Sequence, residues 1–359
     1  MRILLAGGGS GGSSAPVLAV AQEMMRRREC QFLYIGTESG PEREMVSALG
    51  IPYRAVRTGK LRRYWSVENL TDMVRIPMGL FESMGVVRSF DPDVAFAAGG
   101  FAAVPPLLAA ALLRRPIVIH QQDVEPGLAN RILAPFATAI TVTFSHSIAH
   151  FPAGKTKVTG NPVRREILQG RREDAMKVFG LQEAVPVVLA TGGGTGALGL
   201  NRLIAQAAPM LVQRCQLIHI TGRGKRIETA DLGPRYRQVE FLLEEMPHVL
   251  AAADLVVSRS GLSTLTELAA LGKPSVLIPM PHSHQIANAL VFARGGAAVM
   301  LQQEELSGEQ LATELLSLLE KPERMAAMSE RARAMMSSGA EARIADELER
   351  VAVIRRRRP

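Results

Sequence analysis

A short apolar run that feeds a glycine loop and a small-residue helix start occurs twice in this chain. RILL at residues 2–5 leads into AGGGSGGSSAP at 6–16, and PVVLA at 186–190 leads into TGGGTGALG at 191–199. A strand feeding a glycine turn at a helix amino terminus opens a doubly wound α/β domain. Two such openings so far apart predict two of these domains. At 359 residues the chain also exceeds the size at which a single core usually keeps growing.

The pattern between the two openings agrees. RILLA, QFLYIGT, PYRAVRT, DVAFAAG, PIVIHQQ and AITVTF read as strands separated by helix-length amphipathic segments, which predicts a parallel sheet with helices on its faces. VPVVLAT, QLIHIT, QVEFLL, DLVVSRS and PSVLIPM repeat the alternation. Gly160, Asn161 and Pro162 break it, so the expected domains are 1–162 and 163–335. A terminal helix and basic tail at 336–359 are free to pack back on the first domain. Ser307 is positioned to cap the helix SGEQLATELLSLL.

Hydrophobic residues at 47% and charged residues at 21% are ordinary for a folded chain. Cys30 and Cys215 are too few to staple it, which favours a reducing compartment. No secretory signal is readable at the amino terminus. Val94 to Leu113 is charge-free and long enough to cross a bilayer. Gly99, Gly100, Pro105 and Pro106 interrupt it, so a buried strand, a glycine turn and a buried helix fit better. A net charge of +8 favours an anionic partner: a nucleotide, a pyrophosphate, a nucleic acid or an acidic membrane. With only 4% aromatic residues and no basic stripe interleaved with them, no nucleic acid partner is expected. The closing RRRRP suits either a solvated end or a contact with acidic lipid.

Glycine loops at helix starts bring backbone N–H groups and the positive end of the helix dipole against a phosphate. Glycine at such a turn also serves tight packing, so the motif alone leaves both uses open. Neither loop carries a lysine after its last glycine, which disfavours a P-loop ATPase. A dinucleotide enzyme needs an acidic residue at the end of the second strand, for which Glu38 is the candidate. No Asp-x-Asp motif follows a strand, and His120, His282 and His284 lack metal-ligand spacing, so no metal site is expected.

Taken in order, GGGSGG, AAGGFAAVP, HQQDVEPGLANRIL, TGNPVR, GGGTGALGLN, SRSGLSTLTELAALGKPSVLIPMP and HQIANA resemble the motif series of the MurG family, from the first residues to about residue 300. The resemblance implies a GT-B fold, two Rossmann-like α/β domains with parallel sheets facing across a cleft. It also implies transfer of N-acetylglucosamine from UDP-N-acetylglucosamine to undecaprenyl-pyrophosphoryl-MurNAc-pentapeptide, in peptidoglycan synthesis at the cytoplasmic face of the cell membrane. The nucleotide sugar is then a substrate, and no cofactor is expected.

By the same resemblance, Ser260 to Thr264 start a helix whose amides meet the UDP pyrophosphate, the donor segment running from Leu262 through Ser263, Thr264, Leu265 and Thr266 to Glu267. Glu267 would hold ribose, Gln285 the sugar and Arg164 the diphosphate. Gly194 stands where many relatives have a donor-contacting Ser, and the main chain at Leu243 falls at the uracil position. Ser10, Gly11 and Gly12 would border the reaction centre and the acceptor pyrophosphate. Gly99 and Gly100 form a second glycine turn before Phe101, where Tyr is often found. The stretch from Lys60 to Val87 holds Arg62, Arg63, Trp65, Met78, Leu80, Phe81 and Met84. It suits an anionic membrane surface, or equally a core helix with exposed arginines.

Departures from the family pattern bear on chemistry. Ser13 stands where the family usually has His, and an unactivated hydroxyl is no general base near neutral pH. HQQD replaces the common HEQN, so Gln121 lacks a carboxylate that Asp123 supplies two residues later. Asp123 is therefore the candidate to deprotonate or orient the acceptor 4-hydroxyl, the alternative being a hydrogen bond to the donor. Inversion at the anomeric carbon requires in-line attack opposite UDP, with helix amino termini and Arg164 neutralising the leaving group. Competing readings are a GT-B lipid glycosyltransferase with another acceptor, a UDP-N-acetylglucosamine epimerase, and a catalytically silent scaffold of wall synthesis that binds UDP-N-acetylglucosamine.

Overall fold

The computed structural model describes residues 1–9, 11–58 and 68–356. The chain divides into two compact units, Met1–Pro162 with Gly339–Pro359, and Val163–Ser338.

The first unit has seven parallel strands: β1 Arg2–Ala6, β2 Gln31–Gly36, β3 Tyr53–Ala55, β4 Val94–Ala97, β5 Ile117–Gln121, β6 Ala139–Val142 and β7 Thr156–Val158. Their order is β3-β2-β1-β4-β5-β6-β7, which reverses direction between β1 and β4. Strands β4, β5 and β6 are buried along their whole length because helices cover both faces, hence their unbroken apolar runs. On one face the helices Gly11–Arg27 and Ala340–Arg356 pack together, burying Val17, Met24, Ile344 and Leu348 against Ile3 and Leu5. Arg27 bonds Asp346 at 2.6 Å, Lys157 pairs with Glu347, and Arg343 donates to the Thr159 carbonyl at 2.9 Å, fastening the terminal helix to this unit. On the other face Leu107 and Ala110 of the helix Val104–Leu112 pack on Leu4 and Ala6.

The stretch from Val94 to Leu113 forms a strand, the Gly99–Gly100 turn, a 3₁₀ turn at Phe101–Ala103 and a helix that ends at Leu112. No helix among the described residues is long and apolar enough to cross a membrane.

The second unit has six parallel strands: β8 Val187–Thr191, β9 Gln216–Ile220, β10 Tyr236–Val239, β11 Leu255–Ser258, β12 Ser275–Leu277 and β13 Ala298–Met300. The order β10-β9-β8-β11-β12-β13 reverses between β8 and β11. Strand β10 stops at Val239 rather than continuing through QVEFLL, because Val239 pairs with Ile220, the last residue of β9. Ser307 caps Gly308–Leu319 in a full capping box with Gln310. Strands β7 and β13 were not expected; each is a three-residue edge strand.

Candidate active site

Ligands of open α/β sheets bind beyond the carboxyl ends of strands where the order reverses. In the first unit that point lies between β1 and β4, and both strands run into glycine turns. Gly8, Gly9, Gly99 and Gly100 all have positive φ, at 146°, 86°, 85° and 84°. A Cβ on Gly9 would lie 2.2 Å from Phe101 Cε1, and one on Gly100 would lie 3.0 Å from both the Gly8 carbonyl and Ser13 Oγ. The two turns are therefore packed against each other, with Ser13 buried beneath them in the first turn of the helix Gly11–Arg27. Gly11 and Gly12 begin that helix; Ser10 lies outside the described residues.

The loop after β5 completes this face. Gln122 Nε2 donates to the Ala98 carbonyl at 2.8 Å, and Gln121 Nε2 donates to the carbonyls of Asp123 and Glu125 at 2.8 and 3.0 Å. Asn130 Nδ2 secures the same loop through the His120 carbonyl and Gln121 Oε1, at 2.9 and 2.8 Å. Asp123 is half-buried within it. His120 lies 2.9 Å from both Thr141 Oγ1 and Asn161 Oδ1. The Asn161 carbonyl oxygen can only accept, so Nε2 carries the ring proton and Nδ1 accepts from Thr141. Burial pushes the imidazole down to about 4, so His120 is a neutral clamp at the strand end.

Glu38, the expected acidic partner of the glycine loop, is exposed. Glu42, four residues on, occupies that place. Fully buried, its Oε1 accepts from Thr37 N at 3.0 Å and from the Thr37 hydroxyl, and a Cβ on Gly8 would lie 2.4 Å from it. Sequence reasoning missed it because residues 37–41 form a turn that carries the acid past the strand end and into the next helix, Glu42–Ala48.

Arg62, Arg63 and Trp65 lie outside the described residues. In the helix Glu68–Phe90, Leu80 and Met84 pack on the core, whereas Phe81 is 72% and Met78 39% exposed. Leu112, on the helix Val104–Leu112 packed beside it, is 61% exposed.

In the second unit the reversal lies between β8 and β11. The loop after β8 turns through Gly193 and Gly196 at φ 79° and 67°, and a Cβ on Gly196 would lie 2.1 Å from the Thr221 carbonyl. Gly194 is exposed at the tip. A lysine does reach this loop, although from a distant segment: Lys225 Nζ donates to the Thr195 and Gly196 carbonyls at 2.6 and 3.1 Å. Asn201 holds the Lys225 segment through the carbonyls of Thr221 and Lys225, and His219 Nε2 lies 3.2 Å from Asn201 Oδ1.

After β11 the chain passes Ser260 and Gly261 into the helix Leu262–Leu271. Gly261 is its cap and, lacking a side chain, does not itself bond the amides of the first turn. Ser263 and Thr264 are half-buried at this start, whereas Leu262, Leu265 and Thr266 are buried. Ser260 Oγ donates to the Gln285 carbonyl at 2.7 Å and Asn288 Nδ2 to the Ser260 carbonyl at 3.0 Å, so the helix Gln285–Arg294 begins beside it. Gln285 Oε1 accepts from Met280 N at 3.1 Å, leaving the amide NH₂ for a hydroxyl. Glu267, one turn along, receives Nε and Nη2 of Arg164 on its Oε1 at 3.0 and 2.8 Å. Burial acts to lower the Arg164 pKa, but the Glu267 carboxylate outweighs it and the net shift is upward. Leu243 lies half-buried in the loop after β10.

Known proteins share this arrangement. The glycosyltransferase family 28 N-terminal domain matches residues 3–142 and the corresponding C-terminal domain matches residues 187–347. The UDP-N-acetylglucosamine--N-acetylmuramyl-(pentapeptide) pyrophosphoryl-undecaprenol N-acetylglucosamine transferase of Lachnoclostridium phytofermentans is 38% identical over 86% of this chain and 88% of its own. The same-named protein of Clostridium kluyveri is 37% identical over 88% and 91%. The crystal structure of Acinetobacter baumannii MurG superposes with a TM-score of 0.70 at 27% identity, covering 97% of this chain and 99% of that one. Two parallel α/β units with this strand order are those of GT-B proteins, and the chain belongs to glycosyltransferase family 28, within its MurG family.

Proposed function

We propose that this chain is an inverting transferase that moves N-acetylglucosamine from UDP-N-acetylglucosamine to the 4-hydroxyl of MurNAc in undecaprenyl-pyrophosphoryl-MurNAc-pentapeptide, the step that its relatives' names describe. The observation that carries it is the glycine-capped start of the helix Leu262–Leu271 at the second sheet's reversal point, with Glu267 and Gln285 beside it. Amides of Ser263 and Thr264 would take the UDP pyrophosphate and Glu267 the ribose hydroxyls. The Gln285 amide would read a sugar hydroxyl. As the bond to UDP breaks, charge grows on the diphosphate where these donors already point, so stabilisation needs no rearrangement.

The acceptor belongs to the first unit, where the paired glycine turns offer backbone amides to its pyrophosphate. Asp123, on the loop clamped by Gln121 and Asn130, takes the proton of the attacking hydroxyl. Ser13 contributes packing beneath Gly100 and no base chemistry. Phe81, Met78 and Leu112 give the first unit an apolar face for peripheral attachment to an anionic membrane, the surface on which such an acceptor resides.

The test incubates the purified chain with labelled UDP-N-acetylglucosamine, with and without a lipid-linked MurNAc-pentapeptide. Release of UDP together with a lipid-linked disaccharide, only when acceptor is present, is the expected result. Epimerised nucleotide sugar without acceptor, or binding without transfer, would contradict it.

A further inference from the structure

Two of the groups expected to hold the nucleotide hold each other. Arg164 and Glu267 stand 103 residues apart in sequence, and their side chains are only 13% and 10% exposed. Nε and Nη2 of the guanidinium both donate to the same carboxylate oxygen, Oε1. Among the described residues no other hydrogen bond reaches Glu267, so Oε2 keeps its lone pairs for something else. Two donors converging on one oxygen fix a glutamate's terminal torsion, which otherwise rotates broadly. Used this way, the guanidinium keeps both Nη1 hydrogens and one on Nη2, but swinging its Nε–Nη2 edge toward a phosphate would strand a buried carboxylate without its partner.

We propose that Arg164 is a positioning residue: it acts on the nucleotide through Glu267, holding Oε2 where it accepts from the ribose hydroxyls, rather than by contacting the diphosphate. This rests on the assignment of ribose to Glu267 made above, and the experiment separates the two. Binding of UDP, uridine and 2′,3′-dideoxy-UDP to the full chain is measured by calorimetry or competition, for the native protein and for Glu267→Gln, Arg164→Gln and Arg164→Lys. Thermal unfolding of each variant establishes that folded protein is titrated.

In the native chain, loss of the ribose hydroxyls weakens binding about 10-fold or more, as for hydrogen bonds to a charged group. Glu267→Gln removes that discrimination. Arg164→Gln removes it too, weakens uridine and UDP by the same factor although uridine has no phosphate, and leaves dideoxy-UDP within about 2-fold of native. Arg164→Lys, which keeps a cation beside Oε1, restores part of the discrimination. If Arg164→Gln does not fold, Arg164→Lys alone decides, since it weakens UDP and uridine equally only when the arginine works through ribose. Equal weakening of UDP and dideoxy-UDP with uridine unaffected would overturn the proposal and return Arg164 to the diphosphate, while Glu267→Gln still loses ribose discrimination. Should Glu267→Gln retain that discrimination, the ribose assignment falls and the proposal with it.

Discussion

The two units place a glycine loop at the same topological point and build it from different materials. In the first, the loop is lined by side chains: Phe101 against Gly9, Ser13 against Gly100, and the buried Glu42 against Gly8. In the second, it lies on backbone, with Gly196 pressed against Thr221 and Gly222, and its carbonyls are held by Lys225. Shared topology thus fixes where a ligand can sit, while the lining decides which one. At its reversal point the second unit adds a glycine-capped helix start, a glutamate one turn along held by an arginine, and a second helix tied to the first through Ser260.

Substitutions that exploit the contrast test it. Gly196→Ala puts a Cβ against backbone at a positive φ, and should destabilise the second unit by about 4 kcal/mol, the sum of left-handed strain and an overpacked contact. Gly9→Ala, which meets an aromatic ring that can turn, should cost less; urea unfolding of both variants ranks them. Asp123→Asn should lower kcat about 100-fold with little change in the KM for UDP-N-acetylglucosamine. Unchanged turnover at saturating substrates would remove Asp123 from the chemistry.

A pH experiment addresses a feature the units share. His120 and His219 are buried, and burial lowers each from the ordinary 6.5 to about 4. The unfolded chain takes a proton on each below about 6.5 while the folded chain refuses it until about 4, so stability is intact above 6.5 and is lost as the pH falls through that window. Between pH 7 and pH 5 each histidine should cost about 2 kcal/mol. His120→Gln should flatten the acid dependence of the first unit only, and His219→Gln that of the second, as read from denaturant unfolding followed in each unit. The smallest effect is expected for Gly193→Ala, where φ is positive but the space is open, at about 1 kcal/mol.

What the amino-acid sequence disclosed followed from periodicity and local chemistry. Both sheets, the glycine turns, the strand–turn–helix reading of Val94 to Leu113 and the Ser307 cap were legible because each depends on neighbouring residues. Strands β7 and β13 escaped, although the equally short edge strand β3 was read from PYRAVRT. The Lys225 clamp, the replacement of Glu38 by Glu42 and the Arg164–Glu267 pair were illegible too. Each is a contact set by how turns bring separate segments together, over 29, 5 and 103 residues respectively for the bonds Lys225–Gly196, Thr37–Glu42 and Arg164–Glu267.

The central claim is that the second unit's loop and helix start, not the first's, receive the nucleotide. A crystal structure of the full chain with UDP-N-acetylglucosamine tests it most directly. The account predicts the pyrophosphate within hydrogen-bond distance of the Ser263 and Thr264 amides and the ribose on Glu267 Oε2. A nucleotide seated instead on the Gly7–Gly9 loop of the first unit would contradict it.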